Sequence, residues 1–107
     1  LIERIGQIAE HLSDEALIEL VRIYWFTVEF GLIRERGERK VFGAGLLSSI
    51  GELEHLPQVQ VVPFDLDVVR NTSFDPSIMQ PVLFEAESLE QILDAVSQFE
   101  RSLTGSQ

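Results

Sequence analysis

No cysteine occurs in the chain, so neither a disulfide framework nor a thiolate metal site can be built from it. Basic residues are scarce as well: 8 Lys and Arg stand against 18 Asp and Glu, for a net charge of -10. That balance opposes phosphate backbones and anionic lipid, which sets aside nucleic acid and membrane surfaces as partners. No apolar run reaches the roughly 18–20 residues of a membrane span, and no signal-peptide pattern opens the chain. With the missing cysteine, this suits a cytoplasmic protein. An initiator methionine is also lacking: position 1 is Leu1, and Ile2, Ile5, Ile8 and Leu12 already follow helical spacing. A chain that opens inside a helix is expected to be a piece of a longer one.

What is present is ordinary for a folded domain. Hydrophobic residues make up 45% and charged residues 24% of 107, which argues for a packed core over disorder. The length fits one domain or part of one, with a modest core. Ser13 reads as a helix N-cap, with Asp14 and Glu15 in the first turn where the dipole favours negative charge. Leu17, Val21, Tyr24 and Val28 mark the apolar face of this helix, Ile18, Leu20 and Trp25 flank it, and Gly31 is a natural C′ stop. Residues 32–42 alternate weakly around Glu35-Arg36-Gly37-Glu38, a β-hairpin pattern. Arg34, Arg36, Arg39 and Lys40 fall there and are expected to form a solvated hairpin tip.

Further along, Ser49 and Glu52 fit the capping box of a short helix that Pro57 ends. Residues 57–81 hold all 4 prolines and no strong period beyond a helical turn capped by Asp65, so a long packed loop is expected. Pro81-Val82-Leu83-Phe84-Glu85 reads as a strand. Ser88 and Gln91 cap a last helix with Leu89, Ile92, Leu93, Val96 and Phe99 on its apolar face, closed by Gly105. The predicted class is α+β, mostly helical, with a small hairpin or sheet.

One carboxylate stands out. Ile23-Tyr24-Trp25-Phe26-Thr27-Val28-Glu29-Phe30-Gly31-Leu32 sets Glu29 among aromatic and branched apolar side chains. An ionised Glu removed from water without a partner costs several kcal/mol, so Glu29 is solvated, neutralised or bound to a cation. On a regular helix it shares a stripe with Glu15, Glu19, Arg22 and Phe26, which taken alone describes the end of a solvated polar face. Yet that stripe turns aromatic near Glu29. A carboxylate at the mouth of an aromatic cleft can be the oxygen ligand of a facial triad of two histidines and one carboxylate that holds Fe(II). Gly43-Ala44-Gly45 by itself signals a backbone bend or close approach, since Ser48 stands where a dinucleotide fingerprint needs its third glycine. Trp25 by itself is a core aromatic, and the two histidines, His11 and His55, read as structural or exposed.

Tyr24-Trp25-Phe26-Thr27-Val28-Glu29-Phe30-Gly31-Leu32, followed by Gly43-Ala44-Gly45-Leu46-Leu47-Ser48-Ser49-Ile50-Gly51-Glu52-Leu53, resembles the back half of the catalytic domain of the aromatic amino acid hydroxylases, bacterial phenylalanine hydroxylases among them. Those enzymes are non-haem iron, tetrahydropterin-dependent monooxygenases. The resemblance implies that Glu29 is the iron carboxylate and that Tyr24 lies near the metal. It implies also that Trp25 flanks the substrate ring, and that backbone around Gly45 with the hydroxyls of Ser48 and Ser49 lines the amino acid site. Ser48 would further bond an iron-ligating histidine, a contact that orients the ring. Two positions depart from the family: Phe74 stands where a tyrosine near the site is common, and Met79 where an aromatic precedes Gln80-Pro81.

The resemblance runs from about Ile5-Gly6 to the last helix and so covers nearly all of this chain, but only the last part of a full catalytic domain. Residues 1–107 are therefore expected to be its C-terminal portion. The paired histidines, the pterin platform and the arginine for the substrate carboxylate belong upstream, and neither His11 nor His55 is one of the pair. The parent is expected to bind Fe(2+), tetrahydrobiopterin and dioxygen and to hydroxylate the ring of a free aromatic amino acid, phenylalanine to tyrosine. The 107 residues alone are expected to hold no tight iron and to be inactive, with no catalytic residue of their own. Alternative readings are an acidic binding module and an oligomerisation domain. A homo-oligomer is expected because a face bearing Trp25, Phe26, Phe30 and Leu46-Leu47 would lie bare without its upstream cover.

Overall fold

The computed structural model describes residues 2–10, 12–48, 50–78 and 80–104. Helix α1 (Ile2–Ala9) turns Ile5 and Ile8 inward, as its spacing requires. Helix α2 (Asp14–Tyr24) starts at Ser13, whose hydroxyl accepts the Ala16 N–H. The stripe it buries is not the expected one: Leu20 and Ile23 are buried, whereas Leu17 and Val21 are 39% and 45% exposed. Glu19 and Arg22, on the expected polar face, instead meet the short helix α5 (Leu66–Arg70). Glu19 pairs with Arg70, Arg22 donates to the Arg70 carbonyl, and the Arg70 guanidinium lies 5.4 Å from the Phe99 ring centre. Partners supplied by α5 let that side of α2 be covered, so the helix is rotated relative to a simple apolar-in reading.

After Tyr24 the α-helix widens into a π-turn, Trp25–Glu29, closed by the Phe30 N–H on the Trp25 carbonyl at 2.9 Å. Thr27 is buried there, its hydroxyl satisfied by the Ile23 carbonyl. Gly31 is not the left-handed stop expected of it. It is glycine because a Cβ would lie 2.5 Å from the Thr27 carbonyl oxygen.

The chain then forms the hairpin β1 (Leu32–Glu35) and β2 (Glu38–Val41). Arg36 (φ 54°) and Gly37 (φ 79°) are both left-handed, the two-residue turn that matches strand twist. The sheet has order β2-β1-β4-β3, with β1 and β3 both parallel to β4 (Val82–Ala86). Strand β3 (Gln60–Pro63) lies inside the stretch expected to be loop. Its pairing partner is distant in sequence, and Pro63 is tolerated because β3 is an edge strand. The hairpin arginines are more than a solvated tip, since Arg34 and Arg39 both bond Glu85 on β4. Burial pushes the Glu85 carboxyl up, but the hydrogen bonds and charges of Arg39 and Arg34 outweigh it and hold it below the ordinary carboxylate range.

Between hairpin and β3 run α3 (Ala44–Ser48), α4 (Ile50–His55) and a single 3-10 turn, Leu56–Gln58. The first half of the capping box, Ser49, lies outside the described residues, as does Gly105. The last helix, α6 (Leu89–Thr104), opens as expected, with the Gln91 N–H on the Ser88 hydroxyl and the Gln91 amide oxygen accepting from the Glu87 N–H. It buries Ile92, Ala95, Val96 and Phe99, while Leu89 and Leu93 remain exposed. Phe84 and Ala86 of β4 join this helix, α1 and α2 in one core; Leu83 points the other way and packs with Phe30, Leu32 and Leu46. Full burial of Phe26, Phe84 and Phe99 contributes about 1.5–3 kcal/mol each. The face expected to lie bare is thus mostly inside: Phe26, Phe30 and Leu46 are buried, Trp25 is half-buried, and Leu47 alone of the five is well exposed.

Candidate metal and aromatic site

The π-turn decides where Glu29 points. Residues five apart diverge around an α-helix but line up along a π-turn, and Tyr24 is five residues before Glu29. The Tyr24 hydroxyl donates to Glu29 Oε1 at 3.2 Å. Burial, the neighbouring Glu29 charge and that bond together raise the Tyr24 phenol above its ordinary value, so it stays a neutral donor. The wider turn also takes Glu29 off the Glu15-Glu19-Arg22 stripe, and its side chain is half-buried.

The Gly43-Ala44-Gly45 segment crosses directly over this carboxylate. A Cβ on Gly43 would sit 2.3 Å from the Glu29 carbonyl oxygen, and one on Gly45 would sit 2.7 Å from Glu29 Oε2. The glycines therefore serve close approach, as their pattern suggested, and the space beside Oε2 exists because Gly45 has no side chain. Gly43 donates to the Gly31 carbonyl at 2.9 Å, and its own carbonyl accepts the Leu47 N–H at 3.0 Å to start α3.

Beside the carboxylate lies an aromatic group. Trp25 stacks on Phe74 with ring centres 4.3 Å apart and planes 6° from parallel, and its other neighbour, Phe30, is 4.6 Å away and tilted by 40°. Phe74 also meets Phe26 edge-on. Phe74 thus belongs to the site although it lacks the phenol expected there. Gln80, read from sequence only as a landmark before Pro81, is 2% exposed, and its amide oxygen accepts the Trp25 indole N–H at 3.0 Å. No spacing signal marks it, because its partners lie 55 residues away and in its own loop.

Glu29, Tyr24, Trp25, Gly45 and Phe74 are gathered in this region. Ser48 is the last residue of α3, while Ser49 and Met79 lie outside the described residues, as does His11. His55 ends α4 and is half-buried. Glu29 suits one oxygen ligand of a hard or borderline cation: one oxygen is steadied by a phenol and the other faces clearance left by a glycine. Among the described residues no three His, Cys, Asp or Glu side chains come together as a metal site.

Known proteins resemble this chain along nearly all of its length. Residues 2–106 match the family of biopterin-dependent aromatic amino acid hydroxylases. The chain belongs to this family. It is 45% identical over 87 residues to phenylalanine 3-hydroxylase of Streptomyces coeruleorubidus, covering 81% of this chain and 31% of that protein. Against tyrosine 3-monooxygenase of Rattus norvegicus it is 41% identical over 97 residues, 89% of this chain and 20% of that one. Its fold matches Chromobacterium violaceum phenylalanine hydroxylase with a TM-score of 0.81 at 32% identity, over 99% of this chain and 40% of that one. That structure holds iron(III) and oxidised 7,8-dihydrobiopterin. The chain spans less than a third of the length of the curated relatives it matches. The expected mostly helical α+β fold with a small sheet is that of the hydroxylase catalytic domain over the matched region. Among the described residues no helix is long and apolar enough to cross a membrane.

Proposed function

We propose that this chain is the C-terminal portion of the catalytic domain of an iron- and tetrahydrobiopterin-dependent hydroxylase that converts phenylalanine to tyrosine. The observation that carries the reading is the Tyr24-buttressed Glu29 carboxylate, set beside Trp25 and under Gly45 in a chain of this family. Glu29 would hold the metal by one oxygen, with the paired histidines supplied from upstream sequence. Tyr24 orients the carboxylate through Oε1 and, as a neutral phenol, leaves its charge to the cation. On this reading Trp25 and Phe30 flank the substrate ring and keep water from it, and the family resemblance assigns Gly45, Ser48 and Ser49 to the amino acid end. Bound iron and pterin supply the activation of dioxygen; the protein supplies geometry, exclusion of water and placement of the ring. Free phenylalanine and dioxygen are the partners this reading requires, and the cytoplasm is the proposed compartment.

Glu29→Ala in the longer hydroxylase is the test. Metal analysis should find most of the iron lost, with activity; stoichiometric iron retained in the variant would remove Glu29 from the ligand set. The 107 residues alone are proposed to bind no tight iron, because Glu29 is one ligand where the triad needs three. Self-association belongs to the same proposal but on a different face, the exposed Leu17, Ile18 and Val21 of α2. That exposure is also what favours the second reading, a non-catalytic interaction module retaining the fold.

A further inference from the structure

Among the described residues, Thr27 and Gln80 are the buried polar side chains. Thr27 is explained locally, since its hydroxyl bonds the carbonyl four residues back. Gln80 is different, because its bonds tie together three separate parts of the chain. Its amide nitrogen donates to the carbonyls of Asp75 and Ile78 at 3.1 and 3.0 Å, and its amide oxygen accepts the Trp25 indole N–H at 3.0 Å. Its backbone N–H is directed at the Glu52 carboxylate of α4, at 3.3 and 3.4 Å.

We propose that Gln80 is a positioning residue for the aromatic site: its buried amide pins the plane of Trp25 and so sets one wall of the slot that receives the substrate ring. This rests on the functional reading above for the slot's occupant, but not for the coupling between Gln80 and Trp25. Stacking on Phe74 fixes the tilt of the indole and leaves it free to slide and turn within its own plane. A directional bond to the indole nitrogen removes that freedom. The amide itself has a single workable orientation. Two carbonyls demand donors and one indole N–H demands an acceptor, and a flipped amide would set donor against donor. The same amide holds the carbonyl of Asp75, next to Phe74, so both stacked rings are tied to one side chain. Glutamate would turn a charge toward two carbonyls, and an apolar residue would take away the shared partner of both carbonyls and of the indole.

The chain's single tryptophan makes the test direct. In the unmodified chain the one indole N–H resonance should exchange with solvent at least about tenfold more slowly than an unbonded indole, because it is held by the buried Gln80 amide. Free exchange of that proton would overturn the proposal without any variant. In Gln80→Met, which keeps length and loses every side-chain bond, far-UV circular dichroism should be retained. The near-UV tryptophan band should then fall to about half and acrylamide quenching of Trp25 rise about twofold as the ring gains freedom. An unchanged tryptophan band and quenching in the folded variant would refute the pinning. If the variant unfolds, the exchange measurement on the unmodified chain decides.

In the longer hydroxylase, Gln80→Met should raise KM for phenylalanine about fivefold with kcat within about twofold, as expected for a loosened wall that binds ground and transition states alike. A fall in kcat at constant KM would overturn the placement of Gln80 behind the substrate ring. If the longer protein turns over no aromatic amino acid, the functional reading falls by itself, and the indole measurements still decide whether Gln80 pins Trp25.

Discussion

Replacing Gly43 by alanine is the sharpest perturbation the site offers, because the added carbon meets only backbone. Its Cβ would fall 2.3 Å from the Glu29 carbonyl oxygen, 2.4 Å from its carbon and 2.5 Å from the Phe30 nitrogen. None of these atoms can swing aside, so the π-turn or the start of α3 must move by about 1 Å to reach ordinary contact distance. Overpacking of this kind costs about 1–3 kcal/mol, and the unyielding neighbours put Gly43→Ala at the upper end, about 3 kcal/mol. Against a total of about 5–15 kcal/mol for a domain this size, that is a large share. It corresponds to a fall in Tm of about 12–24 °C.

Gly45→Ala should behave differently. Its nearest neighbour is Glu29 Oε2 at 2.7 Å, the free end of a flexible side chain, with backbone first met at 3.0 Å. The carboxylate can turn away, so the stability cost should be about 1 kcal/mol while the Tyr24 bond is lost. Urea unfolding followed by Trp25 emission reads the first effect, and absorbance titration of Tyr24, the only tyrosine, reads the second. The reasoning fails if Gly43→Ala is within about 0.5 kcal/mol of the parent chain, or if Gly45→Ala proves the costlier of the two.

In the unmodified chain Tyr24 should ionise above the ordinary value of 10.0, and Glu29→Gln should bring that midpoint down. Because the neutral phenol is the form favoured by the fold, its stabilising share is whole below pH 10.0 and is lost as pH rises through the folded value; Tyr24→Phe should flatten that alkaline decline in a urea series. Glu85 works in the opposite direction, contributing fully above its ordinary 4.5 and losing its share as pH falls through the depressed folded value. Glu85→Gln should therefore cost about 1 kcal/mol at neutral pH, a figure discounted because both arginines are nearly half exposed, and the loss should vanish in acid. Light scattering at micromolar concentration should find an oligomer that Ile18→Glu returns to the 12.1 kDa chain mass; a monomer before any substitution would refute association through α2.

Local chemistry was legible without any structure. Ser13 and Ser88 cap their helices, and Gly37 permits a left-handed turn, because each effect acts within four residues and depends on side-chain type alone. Glu29 and the glycines beyond it were legible as a motif, since metal chemistry and close backbone approach both restrict residue choice. Tertiary structure decided what depended on distant partners. A helical period cannot say which stripe of α2 is covered when α5 supplies both an ion pair to Glu19 and a carbonyl to Arg22. Nor can it foresee a π-turn, which exchanges one ladder bond for another and moves Glu29 from a polar stripe to a phenol. Strand β3 was hidden for the same reason: Val61 and Val62 favour a strand, but four residues ending in Pro63 are too short to read as one until they pair with β4. Gln80 is the extreme case. Sequence marks it only as a landmark before Pro81, and it acquires its place when folding surrounds one buried amide with two carbonyls and an indole.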